Sequence, residues 1–136
     1  MTITIHTEVA APIQSVWDAW TLPQHITQWN FASDTWHCPH ATNDLQPGGA
    51  FSWRMEAKDG SMGFDFEGTY ERVEPQRLIT YTLGDGRLVE IHFRQEGDTV
   101  VLSESFETEG THSDEQQRDG WQAILGNFKR YAESLE

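Results

Sequence analysis

The fold of this chain is decided by residues 113–136, which read SDEQQRDGWQAILGNFKRYAESLE. Ser113 is a favoured residue at the start of a helix, and Gln116 three positions later completes a capping box with it. About 21 residues rising ~1.5 Å each span roughly 30 Å, enough to cross a whole sheet. The apolar side chains recur at helical spacing and predict one long helix with a continuous apolar stripe, formed by Trp121, Ile124, Leu125, Phe128, Ala132 and Leu135.

Two glycines lie within this predicted helix, at Gly120 and Gly126. Each costs up to about 1 kcal/mol in a helix interior compared with alanine. We therefore expect that these positions let the sheet or a ligand approach the helix closely.

The residues before the helix alternate between apolar and polar side chains, as strands with one buried face do. Turn signals at residues 47–49, 59–60, 84–86 and 97–98 separate the alternating runs and predict an antiparallel meander. One face of such a sheet is solvated and the other must be covered, so the long helix is the expected cover. The apolar faces are predicted to hold Phe51, Trp53, Met55 and Ala57; Phe64, Phe66, Gly68 and Tyr70; Ile79, Tyr81 and Leu83; Val89, Ile91 and Phe93; and Val100, Leu102 and Phe106.

The first part of the chain predicts a strand followed by two short helices. Residues 2–9 alternate, which indicates the strand. Pro12 suits the first position of a helix, and Pro23 is expected to start a second helix that runs to about Trp29. Residues 35–40 are compatible with an edge strand only, because Pro39 excludes a central one.

Composition restricts the possible partners and location. The chain has 136 residues, 22 acidic against 9 basic, and a net charge of −13. Such a surface repels phosphate and anionic lipid, so we expect one domain over residues 1–136 that binds neither nucleic acid nor membrane. The first residues lack a positive region and a long apolar core, and Cys38 is the only cysteine, so we expect no signal peptide and a reducing, cytoplasmic location.

Several segments carry a family resemblance through their order and spacing. They are AP at 11–12, VWDAW at 16–20, His25 through Trp29, PGGAF at 47–51, FEGTY at 66–70, VEP at 73–75, RLITYT at 77–82 and Gly120-Trp121. Together they resemble the family related to the activator of Hsp90 ATPase, within the START-like superfamily.

The resemblance implies an α+β helix-grip fold of the START-like and Bet v 1-like kind. In that fold a curved antiparallel sheet wraps around a long C-terminal helix, two short helices follow the first strand, and a cavity lies between sheet and helix. It implies no shared reaction, because the superfamily includes lipid and hormone carriers, polyketide cyclases and co-chaperones.

The leading functional hypothesis is that this cavity binds a lipid, a polyketide-like molecule or an aromatic molecule without any cofactor. Small-molecule sites are mostly apolar with a few polar anchors, and the Tyr81 hydroxyl and the tryptophan N–H groups are the expected anchors. Trp29 and Trp36 are expected at the rim. An alternative is a filled core in which the rings pack only on each other. The predicted ligand-binding residues are Trp29, Trp36, Trp53, Phe66, Tyr81, Phe93, Trp121, Leu125 and Phe128.

Two other function classes stay open. A cyclase- or hydrolase-like enzyme could use a carboxylate: Asp65 and Glu67 share one face of their strand, as Glu104 and Phe106 do on a later one. Asp65 and Glu67 should face solvent unless a β-bulge near Gly63 or Gly68 turns one into the cavity and raises its pKa. The third class is a stress or chaperone accessory that binds through its acidic face, and an exposed edge strand makes a homodimer plausible.

Metal binding and nucleophilic catalysis are not predicted. In the segment His37-Cys38-Pro39-His40, alternation would point Cys38 and His40 one way and His37 the other. A closed zinc site needs four ligands, and no second cysteine is available. Cys38 also lacks an orienting partner, so a buried or half-buried structural thiol is expected.

Overall fold

In the computed structural model, which describes residues 1–136, seven strands and three helices follow the predicted order. Every strand pair is antiparallel, and the sheet order is β1-β7-β6-β5-β4-β3-β2 once the strands are numbered along the chain. The sheet curls around the last helix, which confirms the predicted helix-grip class. The elements are β1 Thr2–Val9, α1 Ile13–Thr21, α2 Pro23–Trp29, β2 Trp36–Asn43, β3 Ala50–Ala57, β4 Gly63–Glu74, β5 Leu78–Leu83, β6 Leu88–Glu96, β7 Thr99–Glu107 and α3 Asp114–Ser134.

Helix α3 begins as the sequence predicts. The Ser113 hydroxyl oxygen accepts from the backbone N–H of Gln116 at 3.1 Å, and the Gln116 side-chain oxygen accepts from the backbone N–H of Ser113 at 3.2 Å. This reciprocal pair satisfies two of the donors that a helix start leaves open. The stripe is shorter than predicted at its other end: the helix ends at Ser134, and Leu135 is 46% exposed. None of the three helices is long and apolar enough to cross a lipid bilayer.

The two glycines of α3 do not contact the sheet, contrary to one of our two expectations. A Cβ added at Gly120 would meet no atom within 4 Å, and one added at Gly126 would meet only the Arg130 side chain at 3.6 Å. Close approach of the sheet therefore explains neither residue. Gly120 instead lies beside open space, in the lining of a cavity between the sheet and the helix.

Helices α1 and α2 bury a tryptophan pair under the sheet. Pro12 is the N-cap of α1 and not its first helical residue, and Pro23 starts α2 as predicted. Trp20 and Trp29 pack with ring centroids 4.9 Å apart. Trp29 is only 2% exposed and donates its indole N–H to the Ala19 carbonyl at 2.9 Å. The expectation that Trp29 lies at a rim is therefore wrong, because the short α1–α2 corner folds this ring inward.

Strand β2 is an edge strand, as Pro39 predicts, but its alternation is broken. A β-bulge inserts one extra residue between His37 and His40, so that two residues of β2 oppose one of β3. Cys38 is consequently buried while His40 is exposed, which corrects the expectation that the two share a face. Burial raises the pKa of the Cys38 thiol to about 11, and His37 lies 3.7 Å from Glu56.

Candidate functional site

A cavity of about 240 Å³ lies between the inner face of the sheet, helix α3 and the segment after α2. Strands β3, β4, β5 and β7 form its floor because their inward positions fall on one face of the pleat. Phe64 is 49% exposed and Ala32 is exposed, so these two residues mark its mouth. Ten of its 13 lining residues are hydrophobic: the wall comprises Trp20, Trp29, Asn30, Ala32, Trp53, Met55, Phe64, Phe66, Tyr81, Glu104, Gly120, Trp121 and Ile124.

Five of the nine predicted ligand-binding residues line this cavity, namely Trp29, Trp53, Phe66, Tyr81 and Trp121. Phe66 is the cross-strand partner of Trp53, and the two rings stack at 17° with centroids 5.7 Å apart. Trp121 meets Phe66 edge-on at 6.0 Å and stacks on Phe106 at 4.1 Å and 8°. Since each ring is held by another ring, this aromatic wall is fixed before any ligand arrives.

The other four predicted residues do not line the cavity. Phe93 packs edge-on against Trp17 at 5.1 Å. Leu125 and Phe128 are fully buried, and Phe128 lies edge-on to Trp29 at 4.9 Å. Trp36 is half-buried on the edge strand, with its ring 6.1 Å from that of Phe64. The apolar stripe of α3 is wider than the cavity, so its Leu125 and Phe128 edge packs into the core while its Trp121 edge faces the cavity.

Two buried polar atoms have no hydrogen-bond partner within the protein, and both belong to cavity residues. They are Nε1 of Trp53 and Nδ2 of Asn30. Asn30 caps α2 through its backbone N–H, which donates to the Ile26 carbonyl at 3.1 Å. Its side chain lies beside Cys38 and offsets part of the rise in the pKa of that thiol, but sulfur is only a weak acceptor. A buried donor left unpaired costs about 1–3 kcal/mol.

The one acidic side chain in the cavity is Glu104 of β7, which is 5% exposed. It lies opposite Ile5 on β1 and Ile91 on β6. Burial in this apolar setting raises the pKa of its carboxyl from 4.5 to about 8, with no ion pair to oppose the effect. Burial also raises the pKa of the Tyr81 hydroxyl well above 10, and the charge of Glu104 adds to that rise.

Glu104 is the acidic residue of the cavity lining, and our sequence-based list of ligand contacts did not include it. The signal is present in the alternation of β7, where Val100, Leu102, Glu104 and Phe106 share a face. An acid in a run of buried positions is either paired or functional. The list also left out four apolar lining residues, because their spacing is equally compatible with plain core packing. They are Trp20, Met55, Phe64 and Ile124.

Asp65 and Glu67 stay on the outer face of β4, where both are exposed. The register between β3 and β4 is regular over this stretch, and the bulge of β4 lies between Tyr70 and Arg72. The condition for turning either acid into the cavity is thus not met. Asp65 instead lies 3.4 Å from the guanidinium of Arg54. No three His, Cys, Asp or Glu side chains are grouped as a metal ion would need.

Comparison with known proteins gives a consistent result. Residues 10–133 match the sequence pattern of the family described as Activator of Hsp90 ATPase homolog 1-like protein. The chain is similar to an AHSA1-like protein from Aeromonas hydrophila, with 44% identity, a TM-score of 0.93, and coverage of 99% of this chain and 94% of that one. A Cytophaga hutchinsonii protein is 51% identical, with a TM-score of 0.85 and coverage of 98% and 92%.

More distant relatives share the fold. A Chromobacterium violaceum protein is 24% identical, with a TM-score of 0.88 and coverage of 98% of both chains. At that identity the likeness supports the architecture alone. No curated protein sequence matches this chain.

Proposed function

Because this chain belongs to the activator of Hsp90 ATPase homolog 1-like family, we propose that it uses the helix-grip cavity to bind a small ring-containing molecule. The wall is aromatic and already held in place by ring–ring contacts. A preorganised apolar wall favours a flat, apolar ligand, since little ordering is required on binding.

The volume limits the size of this ligand. About 240 Å³ exceeds the ~150 Å³ of an apolar cavity that accepts benzene. It falls below the ~300–1,000 Å³ typical of sites for drug-sized molecules. A ligand of one or two rings fits these limits, and a long acyl chain does not.

The observation that carries the proposal is the pair of unpartnered donors, Trp53 Nε1 and Asn30 Nδ2. These are the only two side-chain nitrogen or oxygen atoms that are fully cut off from solvent and have no partner; the Trp29 indole N–H, in contrast, donates to a backbone carbonyl. Two unpaired donors on residues that line one cavity are a cost to the fold unless something else accepts from them. The ligand we propose therefore carries at least one acceptor oxygen on its ring system.

Acetophenone is a suitable test ligand, since it is one ring with a ketone oxygen, and ethylbenzene is its match without the acceptor. We expect acetophenone to shift the indole N–H signal of Trp53 in NMR spectra and ethylbenzene to shift it less. Trp53→Phe keeps a ring but removes the donor, so it should weaken acetophenone binding about 2- to 10-fold. Ethylbenzene binding should change less in the same variant.

A blocked cavity provides the control for location. Ala32→Trp places a large ring at the mouth, and Asp34→Trp places the same ring at an exposed position that does not line the cavity. We expect the first variant to lose acetophenone binding and the second to keep it. Failure of every one-ring and two-ring probe to bind the wild-type protein would refute the proposed function. Native mass spectrometry of gently purified protein would then identify any natural ligand.

Catalysis in the same cavity is the second candidate, favoured by the buried carboxyl of Glu104. This candidate requires that acetophenone also binds when Glu104 is ionised; the carboxylate could then take a proton from the methyl carbon of the ligand, leaving an enolate whose oxygen accepts from the Trp53 N–H. Return of a deuteron after exchange with heavy water would restore the ketone. The methyl proton signal should then decay faster with the wild-type protein than with Glu104→Gln, and equal rates would refute this candidate. Self-association and binding to a chaperone stay predictions from the sequence.

A further inference from the structure

Glu104 is placed unlike any other acid of this protein. It lies on the floor of the cavity, 5% exposed, with no hydrogen bond or ion pair to another residue. Glu56 and Glu133, in contrast, have their pKa lowered by hydrogen bonds from Arg54 and Lys129. Burying a carboxylate without a partner is so costly that the group is held as the neutral acid instead.

No neighbouring group supplies a charge to Glu104. Its cross-strand neighbours on β1 and β6 are Ile5 and Ile91. Helix α3 presents Gly120, Trp121 and Ile124 to the same cavity. Tyr81 on β5 is the only other titratable residue of the lining, and it is uncharged because its pKa is also raised. The protonation of Glu104 is therefore set by the cavity and by whatever the cavity contains.

Two ligand chemistries could use such a carboxyl. An organic cation would suit a carboxylate ringed by aromatic side chains, and a neutral ligand with an acceptor oxygen would suit the acid form. The N–H groups of Trp53 and Asn30 decide between these two chemistries, because both are unpaired donors on residues that line the cavity. When either N–H turns towards the cavity, its dipole presents positive charge to the ligand, which repels a cation and attracts an oxygen. In the acid form Glu104 adds a third donor of the same kind.

We propose that Glu104 is the polar anchor of the cavity: as a carboxylic acid it donates a hydrogen bond to the acceptor oxygen of an uncharged ring ketone or related carbonyl compound, and as a carboxylate it rejects that ligand. This inference rests on the proposed function and names the ligand class and the condition under which it binds. The cavity is thus selective for neutral acceptors over organic cations, and its affinity follows the protonation of one residue.

The size of the pH effect follows from the titration of Glu104. With a pKa of about 8, the acid form falls from roughly 90% at about pH 7 to roughly 3% at about pH 9.5. If only the acid form binds, the apparent affinity for acetophenone falls about 30-fold over this range. Binding of ethylbenzene, which has no acceptor, should not change with pH.

The experiment titrates three one-ring probes between about pH 6 and about pH 9.5: acetophenone, ethylbenzene and the permanent cation phenyltrimethylammonium. Glu104→Gln keeps a side-chain donor of similar shape but cannot ionise, so it should bind acetophenone with no pH dependence. Glu67→Gln, on the exposed outer face, should keep the wild-type pH dependence. The carboxyl of Glu104 is followed in parallel by carbon NMR on the free protein, and the spectra show whether each variant is folded.

The outcomes separate this inference from the proposed function. The inference about Glu104 is supported if acetophenone binding weakens as pH rises in the wild type but not in Glu104→Gln. Acetophenone binding that is independent of pH overturns it while the proposed function stands. Tighter binding of phenyltrimethylammonium than of acetophenone also overturns it, as does a free-protein Glu104 that titrates near 4.5. If none of the three probes binds, this inference is overturned, and the proposed function is refuted as well once the two-ring probes also fail to bind.

Discussion

Replacing Glu104 by Gln should change how the stability of this protein depends on pH. The carboxyl has a pKa of 4.5 when it is exposed and about 8 in the folded chain, where burial disfavours its charge. Between these two values the unfolded chain binds fewer protons than the folded chain. Stability from this group is therefore fully present below about pH 4.5 and is lost as pH rises towards 8.

The magnitude follows from the two pKa values. The shift of about 3.5 units corresponds to roughly 5 kcal/mol over the whole range. Between about pH 5.5 and about pH 8.5, where the protein is away from its isoelectric point of 4.7, the loss is about 3 kcal/mol. Total stabilities of domains this size are ~5–15 kcal/mol, so this single group should dominate the alkaline side of the stability curve.

The assay is urea unfolding followed by tryptophan fluorescence at several pH values, for the wild type, Glu104→Gln and Glu67→Gln. We expect the free energy of unfolding of Glu104→Gln to gain about 3 kcal/mol relative to the wild type as pH rises over this range. Glu67→Gln, exposed on the outer face, should follow the wild type. Parallel curves for the wild type and Glu104→Gln would show that the carboxyl is solvated or paired in solution, and the reasoning would be wrong.

Four further predictions concern the frame of the cavity and the β2 edge. Gly68→Ala should cost about 1–3 kcal/mol in urea unfolding, because a Cβ there collides with the Thr82 carbonyl and lies 3.0 Å from the Phe51 ring; a stability equal to wild type would contradict the close packing of β4 and β5. Gly120→Ala should instead add up to about 1 kcal/mol, since its Cβ meets nothing within 4 Å and helix propensity improves; a loss of stability would mean that the space beside it is filled. Ser113→Ala should cost about 1 kcal/mol by the same assay through loss of the capping box, whereas Ser134→Ala, at the far end of α3, should cost less. Cys38, with a thiol pKa of about 11, should react with a disulfide reagent only slowly near neutral pH and rapidly in denaturant; fast reaction of the folded protein would show that the β2 edge opens.

Local signals in the sequence were sufficient to predict most elements. The Ser113–Gln116 capping box, Pro23 at the start of α2 and the alternation of β3 all act within a few residues, and the structure confirms each. Two local predictions failed, at the bulge of β2 and at Leu135. The extra residue in β2 and the end of α3 both depend on the neighbouring elements of the fold. Local periodicity in the sequence therefore does not reveal them.

The candidate site was only partly predictable. Trp53, Phe66 and Tyr81 were expected to face α3, and they do line the cavity. Phe93 has the same alternation in its strand, yet it packs on Trp17. Strand alternation tells which face a ring lies on but not whether that face meets open space or another ring.

The sequence by itself determined the α+β order of elements, the apolar face of each strand and the long apolar stripe of the last helix, because these depend on side chains a few positions apart. Only the tertiary structure decided that Trp121 faces a cavity while Leu125 fills the core, and that Trp53 Nε1 lacks a partner. It also decided that Glu104 is buried without a counter-ion. Burial, hydrogen-bond partners and pKa depend on which distant segments meet across the sheet, and that meeting is fixed by the packing of the whole chain.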